Sequence, residues 1–391
     1  MPRVFPFEGL TYDEGVAGPL DRLTTPPYDV ISGDRRGAAL SASPFNIVHV
    51  DLAEGSSDSA VPGNRYERAA TTLSEWRSEG VLTRAPQERF YAYEVAFELH
   101  DEPRRLRGIV CAMELEPWGG SVLPHEEVMA GPVQDRLSLL RATATHLSAV
   151  YGTVTGPCPR LADLLDAVCA APAAQRIVDE EGVTHSMWPV EGQAAVGRWL
   201  SEESLLIADG HHRYTTALAY REEMRTVRGA GPWDRIMTLV VDAGSQDVPV
   251  LPYHRIQLAG EPPKGGEPVK DLHGVLDAVD DDRLRLGTVV MRDETPSYRM
   301  HDLAGEPPTV CALHAGSLDH VAPGDHLAFT HDAEDADRAV RRGEALAAYF
   351  LPSTTPDRIR KVVERGERLP RKSTFFWPKP RTGMVLMPLD G

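Results

Sequence analysis

The densest chemistry in this 391-residue chain lies at residues 209–213, Asp-Gly-His-His-Arg, directly after the apolar run Leu205–Ala208. A strand ending in an acidic residue, a glycine turn and a helical pattern from about His211 to Met224 put three basic side chains at a helix N-terminus. That end already carries about half a positive charge and four unpaired N–H groups, and a charged side chain there costs up to about 1 kcal/mol. An anion resolves the conflict, because the backbone N–H groups, the dipole, His211, His212 and Arg213 can converge on one phosphate or carboxylate. Gly210 permits the tight turn and a close ligand approach. Asp209, at the strand tip, is placed for catalysis or for a metal. A plainer reading stays open: Asp209 caps the helix, the histidines are neutral, and Arg213 pairs with an acidic neighbour. A zinc pair is weaker, since adjacent helical residues point roughly 100° apart, unlike the i, i+4 histidines of HExxH.

Other residues could join such a site. His125 and Glu126, in LPHEE, can act as an acid–base pair or hold a metal. Tyr28 and Asp29 sit in the stiff, proline-framed TTPPYDVIS, and His254 and Arg255 follow a strand in LPYHR. Near the C-terminus, Arg371, Lys372, Lys379 and Arg381 surround Phe375, Phe376 and Trp377, with Ser373 and Thr374 as hydroxyl donors; this is a candidate anion-binding arm. In DRLSLLRAT, Arg136 and Arg141 read as the polar side of an amphipathic helix. No Walker A, dinucleotide-binding glycine pattern or GxSxG motif is present.

The elements that must position these residues alternate in type. FNIVHVDL (45–52) alternates like a strand, and YERAATTLSEWRSEG (66–80) is helical, with Ala69, Leu73 and Trp76 on one face and Gly80 as its stop. Segments 89–99 and 106–115 predict a hairpin across HDEPRR. A helix follows from Asp135 to about Thr145, then a short strand, two helices flanking the strand THSMWPV, and the strand IMTLVVDA (236–243). The Pro/Gly-rich piece 259–268 reads as a linker between a main portion, 1–258, and a C-terminal α+β portion, 269–391. In the latter, LGTVVMR, SYRMHDL, VCALHA and LAFTH read as strands, with helices near 333–347 and 356–365. The fold class is α/β or α+β, with mixed sheets and flanking helices around the strand–turn–helix core.

Bulk properties narrow the chemistry. A formal charge of −17, from 41 basic and 58 acidic residues, argues against nucleic acid as a partner. Cys111, Cys158, Cys169 and Cys311 are scattered, giving neither a disulfide framework nor a zinc site. The N-terminus lacks a signal-peptide pattern and no long apolar stretch occurs, which predicts a cytoplasmic protein with no membrane partner. A homodimer is left open.

The ordered set RVFPFEGLTYD, TTPPYDVIS, SPFNIVHVDL, LPHE, DRLSLLRAT, ADGHHRYTTALAY, LPYHR and LPRKSTFFWPK resembles domain-of-unknown-function family 1015. The DGHHR box alone is similar, more distantly, to that of the ParB/sulfiredoxin-like superfamily, which includes free serine kinases. This second resemblance implies nucleotide phosphates held by His211, His212 and Arg213, and Asp209 positioning or deprotonating a substrate hydroxyl. The chain departs from the first family's pattern at Glu127, Val128 and Val133, and His146 and Leu147 precede Ser148 where that pattern differs. These departures bear on substrate more than on fold.

Together these features predict nucleotide-dependent phosphoryl transfer to a small hydroxy compound, most specifically a serine-like amino acid. ATP or ADP would be the donor, and Mg²⁺ would be held by Asp209 and Glu126. Asp209, Glu126 and His125 are the catalytic candidates. Gly210, His211, His212, Arg213, Lys372 and Ser373 are candidates for the phosphates, and Tyr28, Asp29, His254 and Arg255 for the substrate. The alternatives are a phosphatase or metal-dependent hydrolase of a small phosphorylated metabolite, and a non-catalytic nucleotide-binding module.

Overall fold

A computed structural model of the chain describes residues 2–99, 101–154, 156–191, 195–200, 204–279, 285–302, 326–370 and 372–390. The expected strand VCALHA, Cys311 and Arg371 lie outside the described residues. The chain divides into two compact units. One comprises Met1–Leu123, Val128–Asp247 and Pro378–Gly391; the other comprises Pro124–Glu127 and Val248–Trp377.

The first unit is built on a mixed sheet. Its strands are β1 (Val4–Phe5), β2 (Phe90–Leu99), β3 (Glu102–Glu114), β4 (Val122–Leu123), β5 (Val150–Val154), β6 (Gln175–Val178), β7 (Thr184–Val190), β8 (Leu205–Asp209) and β9 (Arg235–Asp242). Their order is β4-β8-β5-β9-β3-β2-β7-β6, with β1 beside β3. The pairs β8/β4 and β9/β5 are parallel and the others antiparallel. The site strand β8 is therefore interior, and all five of its residues are buried. It packs closely on β5, where a Cβ on Gly152 would stand 2.8 Å from the Leu205 side chain.

Helices α1 (Val48–Asp51), α2 (Arg65–Ser78), α3 (Ala130–Thr143), α4 (Pro159–Cys169) and α5 (His211–Arg228) accompany the sheet. The α2 helix starts at Asn64, whose side chain accepts from the N–H groups of Tyr66 and Glu67, and Gly80 follows it at φ +76°. Ala69, Leu73 and Trp76 form its buried stripe. The α3 helix packs against both α2 and α5. Tyr214 and Ala217 of α5 enter the apolar core with Ile207 and Val240, so the helix that begins at the Asp-Gly turn is fixed along its buried face.

The structure corrects two sequence expectations here. FNIVHVDL is not a strand; its second half forms the short α1. The Asn46 side chain accepts from the Val48 N–H at 2.9 Å and donates to the Arg22 carbonyl at 2.8 Å. Ile47, Val48 and Val50 are all buried, so these local side-chain bonds and burial override β-branched propensity. The hairpin is also tighter than HDEPRR suggests, because β3 begins at Glu102 directly after Asp101 at φ 61°.

Among the described residues the second unit holds a six-stranded antiparallel sheet in the order Glu267–Val269, Thr295–Asp302, Arg285–Arg292, Ala347–Phe350, His254–Gln257 and Leu327–Thr330. Helices Leu272–Ala278 and Ala333–Arg341 pack on it through Val275, Ala336 and Val340. Helix Pro356–Glu364 and a ribbon of Val250–Pro252 with Thr374–Phe376 also belong to the unit. The Pro/Gly-rich piece 259–268 lies inside this unit.

Candidate functional site

In the first unit, the turn after β8 is shaped by three local features. The register of β8 against β5 shifts between Ile207 and Asp209, an irregularity that re-aims the strand's last side chain. Gly210 then takes φ 99°, in the left-handed region, before α5 begins. A Cβ there would also stand 3.0–3.1 Å from the Arg213 guanidinium, so glycine serves both the turn and the close passage of that side chain. Arg213 folds back over the turn to donate to Asp209 Oδ2 at 2.5 Å, and its other terminal nitrogen donates to Ser148 Oγ at 2.9 Å and the Ala149 carbonyl at 2.5 Å.

The two histidines do not share that role. His211 is buried and stacks on Trp118, with centroids 6.1 Å apart at 20°. His212 accepts at Nε2 from the Met129 N–H at 3.0 Å, which requires the neutral ring. The expected crowding of three positive charges at the helix start is thereby reduced: His212 is a neutral acceptor and Arg213 is paired with Asp209.

Lys379 completes the cluster. It lies in the C-terminal segment, which is stitched across the first unit by reciprocal Thr25–Thr382 and Leu10–Leu386 backbone bonds and by pairing of Met387 with His146. The Lys379 side chain is 9% exposed; it pairs with Asp209 Oδ1 and reaches Asp29 Oδ2 at 3.4 Å. Asp209 is thus held by a cation on each oxygen, and Asp29 joins it through Lys379.

Beside this cluster lies a pocket of mixed character, lined by Tyr28, Asp51, Arg136, Ser148 and Arg213 together with apolar side chains such as Leu140 and Ile236. It measures about 50 Å³, against roughly 10–15 Å³ for one water, so it has space for a group of phosphate or carboxylate size. Arg136 was expected on a polar helix face and is instead buried, because a carboxylate waits on each side. It donates to Asp51 Oδ1 at 2.7 Å and to Asp135 Oδ2 at 2.7–2.8 Å, and stacks 4.3 Å over the Tyr28 ring. Arg141 does lie outside, paired with exposed Glu223. Burial pushes the Asp51 carboxyl up despite Arg136, and burial with the nearby Asp29 charge pushes the Tyr28 hydroxyl well up, keeping it protonated at neutral pH.

The remaining candidates belong to the second unit. Glu126 Oε1 accepts from the Ser373 and Thr374 N–H groups at 3.1 and 3.3 Å and from Thr374 Oγ1 at 3.1 Å. His125 Nε2 contacts the same hydroxyl at 2.7 Å. Arg255, 1% exposed, donates to the Tyr253 and Lys372 carbonyls at 2.9 and 2.6 Å. Lys372, at φ 58°, sits 5.0 Å over the Tyr253 ring. His254 accepts from the Leu351 N–H at 3.2 Å, and burial lowers its pKa to about 4. The sequence groups His125 and Glu126 with Asp209; the structure groups them with Ser373 and Thr374.

A side-chain site for Mg²⁺ does not fit these surroundings. Among the described residues no group of three or more His, Cys, Asp or Glu side chains is placed to hold a metal. Both Asp209 oxygens face cations, and Glu126 is engaged by backbone donors.

Among solved structures, the chain is similar to a free serine kinase in complex with AMP at 16% identity, covering 68% of this chain and 85% of that one, with a TM-score of 0.35. A conserved hypothetical protein from Pyrococcus furiosus matches at 15% identity over 66% and 90% of the two chains, TM-score 0.34. SbnI with a C-terminal truncation, from Staphylococcus aureus, matches at 11% over 72% and 87%, TM-score 0.36. Similarity at this level carries no argument about activity. No curated protein matches the chain. Over residues 4–270 the sequence matches the family described as a protein of unknown function, DUF1015, and the chain belongs to that family.

Proposed function

We propose that the chain is a small-molecule kinase that transfers a phosphoryl group from ATP or ADP to the hydroxyl of a serine-like amino acid. The observation that carries this reading is the placement of Asp209 at a strand tip between Arg213 and Lys379, with Arg213 also lining the adjoining pocket. Phosphoryl transfer needs positioning and charge neutralisation more than covalent help. The donor's phosphates would meet Lys379, Arg213 and the first N–H groups of α5, and the acceptor would enter the pocket. When the phosphates draw the cations towards themselves, an Asp209 oxygen is released to accept the hydroxyl proton as the acceptor oxygen bonds to phosphorus and the donor's P–O bond breaks.

One observation favours a second reading, a non-catalytic nucleotide-binding module: both Asp209 oxygens are engaged by cations, which blunts the group as a base. Incubation with ATP or ADP, Mg²⁺ and a panel of hydroxy amino acids, followed by mass spectrometry, decides between them. The kinase reading expects a phosphorylated acceptor and loss of at least 100-fold in rate for Asp209→Asn. Nucleotide binding without product from any acceptor would leave the binding module.

A further inference from the structure

Two buried polar atoms of opposite sense belong to side chains that line the pocket of the first unit. Asp51 Oδ2, an acceptor, and Arg213 Nε, a donor, are both without a protein partner. Their other atoms are spoken for. Arg136 takes Asp51 Oδ1 and the Asp51 carbonyl, while the Arg213 terminal nitrogens go to Asp209, Ser148 and Ala149. Asp51 is 4% exposed, and a buried carboxylate oxygen with no donor is costly unless something supplies one.

A phosphate satisfies only half of this arrangement, since it suits Arg213 and is repelled by Asp51. A simple amine satisfies only the other half. The complement is one small molecule carrying both a cationic donor and an anionic acceptor. We propose that this pocket is a headgroup site for a free α-amino acid, with the ammonium on Asp51 Oδ2 and the carboxylate on the Nε edge of Arg213. The cavity, about 50 Å³, is on the scale of a headgroup and far too small for a nucleotide. Arg213 then ties the bound headgroup to Asp209, which places a short side-chain hydroxyl on the side where phosphoryl transfer was assigned. The inference rests on that reading in choosing an amino acid over other zwitterions.

The test is binding to the full-length protein, by calorimetry and without nucleotide, of L-serine, glycine, N-acetyl-L-serine and ethanolamine. Serine and glycine are expected to bind, and the analogues lacking the ammonium or the carboxylate to bind at least 10-fold more weakly. Asp51→Asn, checked for folding by circular dichroism, is expected to bring the serine to N-acetylserine ratio close to one. Should that variant not fold, the four-ligand panel on the parent protein and Arg213→Lys, which removes Nε as donor, carry the test. Serine that does not bind, or N-acetylserine that binds as well, overturns the proposal. So does a folded Asp51→Asn variant with unchanged selectivity, the result expected if only an ordered water meets Oδ2. Serine binding without turnover keeps the headgroup site and removes the kinase; turnover of hydroxy acids that carry no amine, with no serine binding, does the reverse.

Discussion

The polar cluster around Asp209 and the one around Glu126 use the same residue types and have different partners. In the first unit, side-chain ions face one another: Asp209 with Arg213 and Lys379, and Arg136 with Asp51 and Asp135. A pocket opens beside them, lined by side chains that keep an unsatisfied donor and acceptor. In the second unit, Glu126 and Arg255 bond mostly to main-chain groups, which ties the segment around Ser373 and Thr374 to the strand before Arg255. Ion-to-ion clusters can exchange a partner for a charged ligand, whereas a side chain bonded to backbone holds a fold together. The partner, more than the residue type, separates site from scaffold.

The largest effect that can challenge this contrast lies at Arg136, which sits in the ion cluster and is yet buried. Arg136→Met would leave Asp51 and Asp135 facing an apolar chain. Breaking a buried pair from one side costs about 3–5 kcal/mol, so chemical denaturation should show a loss of that order in the first unit. A loss below about 1 kcal/mol would mean that the cluster is already wet and exchangeable, and that Arg136 belongs with the ligand-binding cations.

Acid should affect both units, through a buried neutral histidine in each. Burial, with the Arg213 charge, lowers His146 to about 4, and burial lowers His254 to about 4. The unfolded chain takes these protons near pH 6.5 and the folded chain does not. Stability contributed by the neutral rings is therefore full above about pH 6.5 and is lost as pH falls towards 4. At roughly 1.4 kcal/mol per unit, each histidine accounts for about 3 kcal/mol at the lower end. Melting temperature against pH should show a flatter acid limb for His146→Gln and for His254→Gln. An unchanged limb in either variant would place that histidine in contact with water.

How much of this was legible in the sequence follows from how each residue reaches its place. The strand, the glycine turn and the helix at 205–228 are contiguous, so hydrophobic run, Gly and helical period sufficed. Lys379 stood out only as one charge in a basic tail, because its pairing with Asp209 depends on a C-terminal segment bonded across Thr25, Leu10 and His146. Asp51 is hidden in FNIVHVDL, where β-branched residues mimic a strand and the bond from the Val48 N–H to the Asn46 side chain favours a turn instead. Arg136 looked like a surface residue, since helical period shows which residues share a face but not what covers it. His212 could be read as a charge because its acceptor role depends on the Met129 backbone, over eighty positions away.

The smallest predicted effect is the sharpest discriminator, because it bears on a residue the sequence grouped with Asp209. Glu126→Ala leaves the Ser373 and Thr374 N–H groups and the Thr374 hydroxyl without their carboxylate acceptor, which should cost about 1–3 kcal/mol. Glu126→Gln keeps an amide oxygen where Oε1 accepts these bonds, and should cost under about 1 kcal/mol by the same accounting. Both variants should bind serine as the parent does, since the Glu126 carboxylate is engaged by Ser373 and Thr374. The glutamine variant separates the two roles: a clamp needs only an acceptor, while a catalytic acid or base needs a titrating carboxyl. If Glu126→Gln keeps its melting temperature and loses turnover, Glu126 is catalytic and the division into ion-paired site and backbone-bonded scaffold fails at that residue.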